Sequence, residues 1–441
     1  MEKKAPSIAV LYTPKGDLLS AFRAELKNFE VQEVLTPNDV DDCLSVLSKY
    51  PDALFILDFS AGVAAVDKLL GTSNDTKRVD IRPSFLFSQE EVDGLEGAAL
   101  EYRVSYLHVG EITRDSINYC LRKIIELDIY PDSVKEQLVE VSKLMHADDL
   151  KSTVPILESL RHEYPDEERF KIELAEVMFR LNKYEDAESL FSEPGEEEVN
   201  PRWINIQGRI ALARGDFVMA GELFNKAKLI NPFNIERLIG LGEAYLGQSK
   251  LDKAEKQFRE AHKHGSKDPG IFVGLGKTLL VGNQINEALK FLKRLSGDRE
   301  MASVFNSAAV LCIHSDKFLE GMKLYTVALK TVGEDSEVRS KLAYNMGIGY
   351  HRNGDHVKAH KAFGAALCFD AKNSKAESNF QILSKAHGKL ELNSDSDAVV
   401  EFLLRLGETE DSDDHSSALK EDNTEIEYDD ASDLKDADKA S

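Results

Sequence analysis

Cysteine is scarce in this 441-residue chain: Cys43, Cys120, Cys312 and Cys368 lie far apart, each among apolar neighbours. No C-x-x-C pair occurs, so the four are expected to be reduced core residues rather than a metal or redox motif. Long apolar runs are missing as well. Met1-Glu2-Lys3-Lys4-Ala5-Pro6-Ser7 leads straight into a short strand-like run. No segment suits a signal peptide or a membrane span, and a cytoplasmic location is expected. Basic charge is in deficit. A net charge of −23 argues against nucleic acid, whose phosphates call for clustered Lys and Arg, and against an anionic membrane surface. From Gly407 to Ser441 there are 14 acidic and three basic residues, about half of the whole imbalance, so the rest of the chain is only moderately acidic. Neither G-x-G-x-x-G, a phosphate loop nor a serine nucleophile elbow is present, so an enzyme site, a metal and a cofactor are not expected. His356 and His360 have the i, i+4 spacing of metal ligands, but no carboxylate or cysteine shares their turn, and the reading is a solvated helix face.

What is present is repetition. Thr153, Ala187, Ala220, Ala254, Ala288, Gly321 and Ala359 follow one another at intervals of 34, 33, 34, 34, 33 and 38 residues. Other positions move in step. Twelve residues before these stand Gly208, Gly242, Gly276, Ala309 and Gly347, and four after them Phe191, Phe224, Phe258, Leu292, Tyr325 and Phe363. Small residues recur at Ala227, Ala261, Ala328 and Ala366. Small residues on both helices of a hairpin let the backbones approach, and the aromatic fills the gap between hairpins. Arg214-Gly215-Asp216 and Asn353-Gly354-Asp355 mark turns between helices, and Asn231-Pro232 and Asp268-Pro269 mark hairpin exits.

This pattern resembles the tetratricopeptide repeat family over 134–390, with the first unit and the 38-residue interval departing from it. The resemblance implies an all-α superhelix whose concave groove, lined by first helices, holds a partner peptide or helix. The groove positions it implies are Arg202, Asn205, Arg209, Lys277, Lys341, Tyr344 and Arg352. Arg202, Asn205 and Arg209 share one helix face, and a basic stripe there suits an acidic segment or chain-terminal carboxylate. Glu236 and Glu243 lie nearby, and an ordinary solvated face is the alternative.

Ahead of the repeats, in 1–127, apolar runs alternate with helical segments: Ile8–Leu11, a helix around Leu18–Phe29, Val31–Leu35, a helix over Val40–Lys49, Ala53–Asp58, Ser84–Ser88, Val104–Leu107 and a helix over Arg114–Leu127. Such alternation predicts an α/β fold with a parallel sheet covered on both faces. The order and the stretch Tyr50–Gly62 resemble the receiver domain of response regulators, which implies a flavodoxin-like, five-stranded fold. By that resemblance Asp58 is the phosphoryl acceptor, Ser88 the hydroxyl closing the fourth strand and Tyr106 the switch aromatic. The acidic pair that would hold Mg²⁺ falls at Tyr12-Thr13, and the lysine and proline expected after the fifth strand fall at His108-Val109-Gly110. Phosphoryl transfer to a carboxylate needs those charges, so the domain reads as a degenerate pseudo-receiver and Asp58 as a solvated strand-end carboxylate. Asp17 reads as a helix cap. The implied role is protein docking, with homodimerisation left open, through the face of the fourth and fifth strands and the last helix, whose inner stripe is Ile117, Leu121 and Ile124 or Ile125.

A linker, 128–133, with Pro131 is compatible with a rigid or a flexible joint. The acidic tail, 391–441, is expected to be mostly disordered, with an amphipathic helix at 397–406 that reads as a cap, a partner motif or a plug for the groove. The sequence thus predicts a non-enzymatic adaptor or scaffold in bacterial signalling or assembly, with other proteins as partners. A phosphorylation-switched regulator with a repeat output domain and a chaperone-like groove for acidic chain ends are the alternatives.

Overall fold

Five buried or half-buried strands give the N-terminal region its frame in the computed structural model, which describes residues 6–50, 53–70, 83–126, 131–190, 200–387 and 395–408. Phe191, linker residues 128–130 and tail residues 391–394 and 409–441 lie outside the described residues. The order is β1 (Ile8–Tyr12), α1 (Gly16–Asn28), β2 (Glu33–Leu35), α2 (Val40–Lys49), β3 (Leu54–Asp58), a 3-10 turn at Phe59–Ala61, α3 (Val63–Leu70), β4 (Ser84–Ser88), α4 (Leu95–Glu101), β5 (Tyr106–Val109) and α5 (Arg114–Glu126). All pairings are parallel, in the order β2-β1-β3-β4-β5. That is the doubly wound, flavodoxin-like arrangement, whose ligand crevice lies at the carboxyl ends of the strands. β3 and β4 are buried along their whole length, as strands covered on both faces must be. On one side Phe22, Leu26, Ile117, Leu121 and Ile124 pack on the sheet, and on the other Leu47, Val66, Leu69, Leu95 and Ala98.

The helices that follow in the first compact unit, Met1–Lys267, are α6 (Asp132–His146), α7 (Leu150–Glu163), α8 (Glu168–Arg180), α9 (Tyr184–Ser189), α10 (Pro201–Ala213), α11 (Phe217–Ile230), α12 (Ile235–Gly247) and α13 (Leu251–Lys263). The second unit, Asp268–Ser441, contains α14 (Pro269–Val281), α15 (Ile285–Leu292), α16 (Asp298–His314), α17 (Phe318–Thr331), α18 (Ser336–Arg352), α19 (His356–Phe369), α20 (Ser374–His387) and α21 (Ser396–Glu408). The compact division falls between α13 and α14, and the sheet shares a unit with the first hairpins.

Local chemistry sets the helix boundaries. Asn200, Asp216, Asn234, Asp268, Asp335 and Asp355 each cap a helix by accepting a backbone N–H, a bond worth about 1 kcal/mol. Gly215 and Gly354 take φ of +78° and +81°, the left-handed turn that ends α10 and α18 just before the Asp that starts the next helix. The periodic small residues Thr153, Ala187, Ala220, Ala254, Ala288 and Ala359 are fully buried. A Cβ on Gly208, Gly242 or Gly347 would stand 2.7, 2.6 or 2.6 Å from the ring of Phe224, Phe258 or Phe363. Here the aromatic four residues past the small residue occupies the space that glycine leaves. The 38-residue interval has a simple cause: α18 has 17 residues where α12 has 13, one added turn. Residues 396–408 form the helix α21, which packs against α17 and α19, the second helices of successive hairpins. Val399, Leu403 and Leu406 are buried there, and the Tyr350 hydroxyl donates to Leu406 O at 3.0 Å. The helix α21 also meets the first helix α18, where Arg339 donates to Ser396 Oγ at 2.8 Å.

Candidate functional site

The carboxyl edge of the sheet holds the residues that a receiver would use. Asp58 closes β3 and is 1% exposed, which corrects the expectation of a solvated carboxylate. Both of its oxygens are engaged. The Thr13 hydroxyl donates to Oδ2 at 2.7 Å and the Ser60 backbone N–H donates to Oδ1 at 2.8 Å, so Asp58 caps the 3-10 turn that follows it. The residue standing where the acidic pair was expected thus supplies a neutral hydroxyl. Ser88 is turned to its own loop, donating to Glu90 O at 2.7 Å. Tyr106 is half-buried, edge-on to Phe85 and Tyr119, and burial raises its hydroxyl pKa. Lys15, which the sequence reading did not single out, donates to Gln89 Oε1 at 2.5 Å on the same edge. Asp17 lies in the first turn of α1, whose cap position is Lys15, a correction to its reading as a cap. Among the described residues, no group of three His, Cys, Asp or Glu is placed to hold a metal ion.

A second constellation joins α4 to the repeats inside the first unit. Glu101 Oε1 accepts from Arg237 Nη2 at 2.7 Å and Asn234 Nδ2 at 2.9 Å, while Oε2 accepts from Asn231 Nδ2 at 2.7 Å. Arg237 also donates to the carbonyls of Ala227 and Asn231. Glu101 and Arg237 side chains are both 1% exposed. The turn between α11 and α12 presses so closely on α4 that neither Gly94 nor Gly97 has room for a side chain. Phe233 packs against Phe59 at 5.4 Å, and the Ala64 N–H donates to His264 O at 3.3 Å. Beside them Tyr102 donates to Asp67 at 2.7 Å. Burial pushes the Asp67 carboxyl up to about 7, with Glu101 and Glu236 adding to the effect. The joint left open at the sequence level is thus closed by direct packing and a buried ionic network. No periodicity announced it, because Glu101 is 130 residues or more from its partners Asn231, Asn234 and Arg237.

The expected groove residues divide between the two units. In the first, Arg202 donates to Glu173 at 3.1 Å, and Arg209 pairs with Glu176 at 2.8 Å and Glu236 at 3.2 Å while its guanidinium lies over Phe179. Asn205 is buried. The stripe is therefore neutralised within the chain, a correction to its reading as open positive charge. In the second unit Lys277 is half-buried, Lys341 is exposed and pairs with Glu337 at 2.9 Å, and the Tyr344 ring lies tilted against Phe363 with centroids 5.6 Å apart. Arg352 is exposed and meets the His314 ring at 2.7 Å. The Asn345 amide and the Tyr325 hydroxyl both donate to Asn306 Oδ1, at 2.8 and 3.0 Å. Next to this network Val310, Ile313, His314, Tyr325, Asn345, Ile348, Gly349 and Arg352 line a cavity of about 50 Å³. His356 and His360 are not a solvated pair: His356 meets His351 at 2.9 Å, and His360 is buried, stacked on Phe380 and bonded to Ser384.

Helical hairpins of this period, preceded by a doubly wound α/β domain, define the class of the molecule. The tetratricopeptide repeat family model matches residues 144–210. No curated protein matches the chain in sequence. Among solved structures, the chain is similar to the crystal structure of the APC/C hetero-tetramer Cut9-Hcn1 at 12% identity, over 85% of this chain and 74% of that one, with a TM-score of 0.34. It is also similar to BtubC (BKLC) from P. vanneervenii at 16% identity, over 63% of this chain and 97% of that one, with a TM-score of 0.26. Among the described residues no helix is long and apolar enough to cross a membrane.

Proposed function

We propose that this chain is a non-enzymatic protein-interaction adaptor, working in the cytoplasm of a bacterial signalling or assembly system. Its repeats hold one partner, and a pseudo-receiver domain, docked in place by its own chain, holds a second. The observation that carries the reading is the closure of Asp58. A nucleophilic carboxylate must be reachable and must have cations around the incoming phosphoryl group, whereas this one is buried and occupied by a hydroxyl and a backbone amide. The repeat face of the second unit, with Asn306, Asn345, His314 and Arg352 beside a small cavity, supports capture of a partner segment through amide and guanidinium donors. Leu100, Val109 and Tyr119 remain exposed on the pseudo-receiver and suit the second partner, or a second copy.

Incubating the full chain with Mg²⁺ and a small phosphoryl donor tests this directly. The expected result is no stoichiometric label at Asp58; label that disappears in Asp58→Asn establishes the phosphorylation-switched reading instead. Screening immobilised peptides that end in a free carboxylate or carry acidic residues tests the groove, where Arg352→Ala and Asn345→Ala are expected to lose capture together.

A further inference from the structure

Asp67 lies on α3, inside the contact between the sheet domain and the turn that joins α11 to α12. It is 5% exposed, and the Tyr102 hydroxyl that follows α4 donates to its Oδ1 at 2.7 Å. The Ile235 backbone N–H, which opens α12, also acts on it. Both donors are neutral. Among the described residues no Lys, Arg or His pairs with Asp67. Arg237, the cation of this contact, donates instead to Glu101 and to the carbonyls of Ala227 and Asn231. The charges that act on Asp67 are carboxylates, Glu101 from α4 and Glu236 from α12, the second of which also pairs with Arg209. From α2 the exposed Asp41 pairs with Lys68 of α3. From the end of α13, His264 accepts the Ala64 N–H through its carbonyl and sets its ring edge-on to Phe233. Ionisation of Asp67 thus places a negative charge where burial and two neighbouring carboxylates oppose it, which raises its pKa to about 7.

We propose that the seating of the N-terminal domain on the repeats is controlled by one proton: the protonated Asp67 carboxyl permits the docked arrangement, and release of that proton to solvent opens the contact of α3 and α4 with the α11–α12 turn. Opening uncovers the Phe59–Phe233 pair and the buried bonds of Glu101, so that pH sets whether the domain is held against the repeats. The docked carboxyl keeps its proton up to about 7, and an exposed one only up to 3.8. Between these values the open fraction grows by up to about tenfold per pH unit, and above the higher one it levels off. His264 works in the opposite sense. Burial lowers its pKa, so docking gains as pH rises through its range, and it cannot produce the fall expected from Asp67. The device goes beyond the adaptor reading and depends neither on Asp58 nor on what the repeats bind.

Amide exchange of the full chain, followed by mass spectrometry from about pH 5 to about pH 8 and corrected for the intrinsic exchange rate, reads the contact. The expected result is that α4 and the α11–α12 turn lose protection together, about tenfold per unit up to about pH 7, and exchange ahead of β3 and β4 throughout. In Asp67→Asn their protection stays level over the same range. The proposal is overturned if protection of α4 does not change with pH or changes equally in Asp67→Asn. It is also overturned if α4 exchanges only together with β3 and β4, because the event is then unfolding of the whole domain rather than opening of a contact. Should Asp67→Asn fail to fold, carbon NMR of the aspartate-labelled full chain decides: a carboxyl of Asp67 that titrates near 7 supports the device, and one that titrates near the ordinary 3.8 removes it.

Discussion

The first-helix faces of the two units differ in how deeply their ion pairs are buried. In the first unit, carboxylates on α8 meet guanidiniums on α10, and Glu236 on α12 shares Arg209. Glu176 and Arg209 are 33 residues apart, one repeat, so the ion pairs join neighbouring hairpins. In the second unit the ion pairs of Arg299 with Asp335 and Glu337, and of Lys341 with Glu337, are exposed, and the face carries amides and an Arg352–His314 contact beside a cavity. Charge spent on holding hairpins together is charge withdrawn from recognition. A periodic basic stripe therefore marks a binding face only when the acid one repeat away is missing.

The sharpest way to break the first unit is to remove one partner of its most buried pair. Glu101→Ala leaves Arg237 charged in a site 1% exposed, a change that costs about 3–5 kcal/mol. Urea unfolding should show that loss, and amide exchange should show α4 opening. Equal protection of α4 in the variant and the parent would show that the Glu101–Arg237 network does not hold α4 in place. Next in size comes Arg209→Ala, which takes a partner from Glu176 and from Glu236 and uncovers Phe179; the expected loss is about 2–3 kcal/mol. A loss below 0.5 kcal/mol would put Arg209 among exposed charges and weaken the contrast between the faces.

The same region titrates. The unfolded chain ionises Asp67 near 3.8 and the folded chain near 7. Between those values the folded state holds a proton that the unfolded state has released, so stability falls as pH rises through the window, by up to about 1.4 kcal/mol per unit. The contribution is fully present below the lower value and lost above the higher. Asp67→Asn keeps a neutral partner for Tyr102 and should flatten the slope. An unchanged slope would show that Asp67 is ionised in the fold.

The repeats were legible because each needs the same small residues and aromatic, and the sheet because β3 and β4 are unbroken apolar runs. The strands and helices nearest to turn residues fell within two or three positions of their expected limits, and α2 and β4 coincide with them. The helices α3 and α4 were not singled out, and they carry Asp67 and Glu101 of the buried network. Glu101, Asn231, Asn234 and Arg237 look like ordinary polar residues of a turn and two helix ends, and only tertiary contact over more than a hundred residues gives them a role. Asp58 was found by its place after an apolar strand. Its burial was not, because that depends on Thr13 turning its hydroxyl across from a neighbouring strand.

The smallest expected effect on stability decides most about function. Arg352 is exposed, and its bond to His314 lies at the surface, where such contacts are worth about 0.5 kcal/mol or less. Arg352→Ala should therefore unfold at nearly the same urea concentration as the parent, in contrast to Arg209→Ala. Binding should respond in the opposite order, because a ligand carboxylate can reach the exposed Arg352 guanidinium, whereas that of Arg209 is buried between Glu176 and Glu236. If Arg209→Ala and Arg352→Ala lose peptide capture equally after correction for the folded fraction, then the two faces work as one, and the division between a structural and a recognising set of charges is wrong.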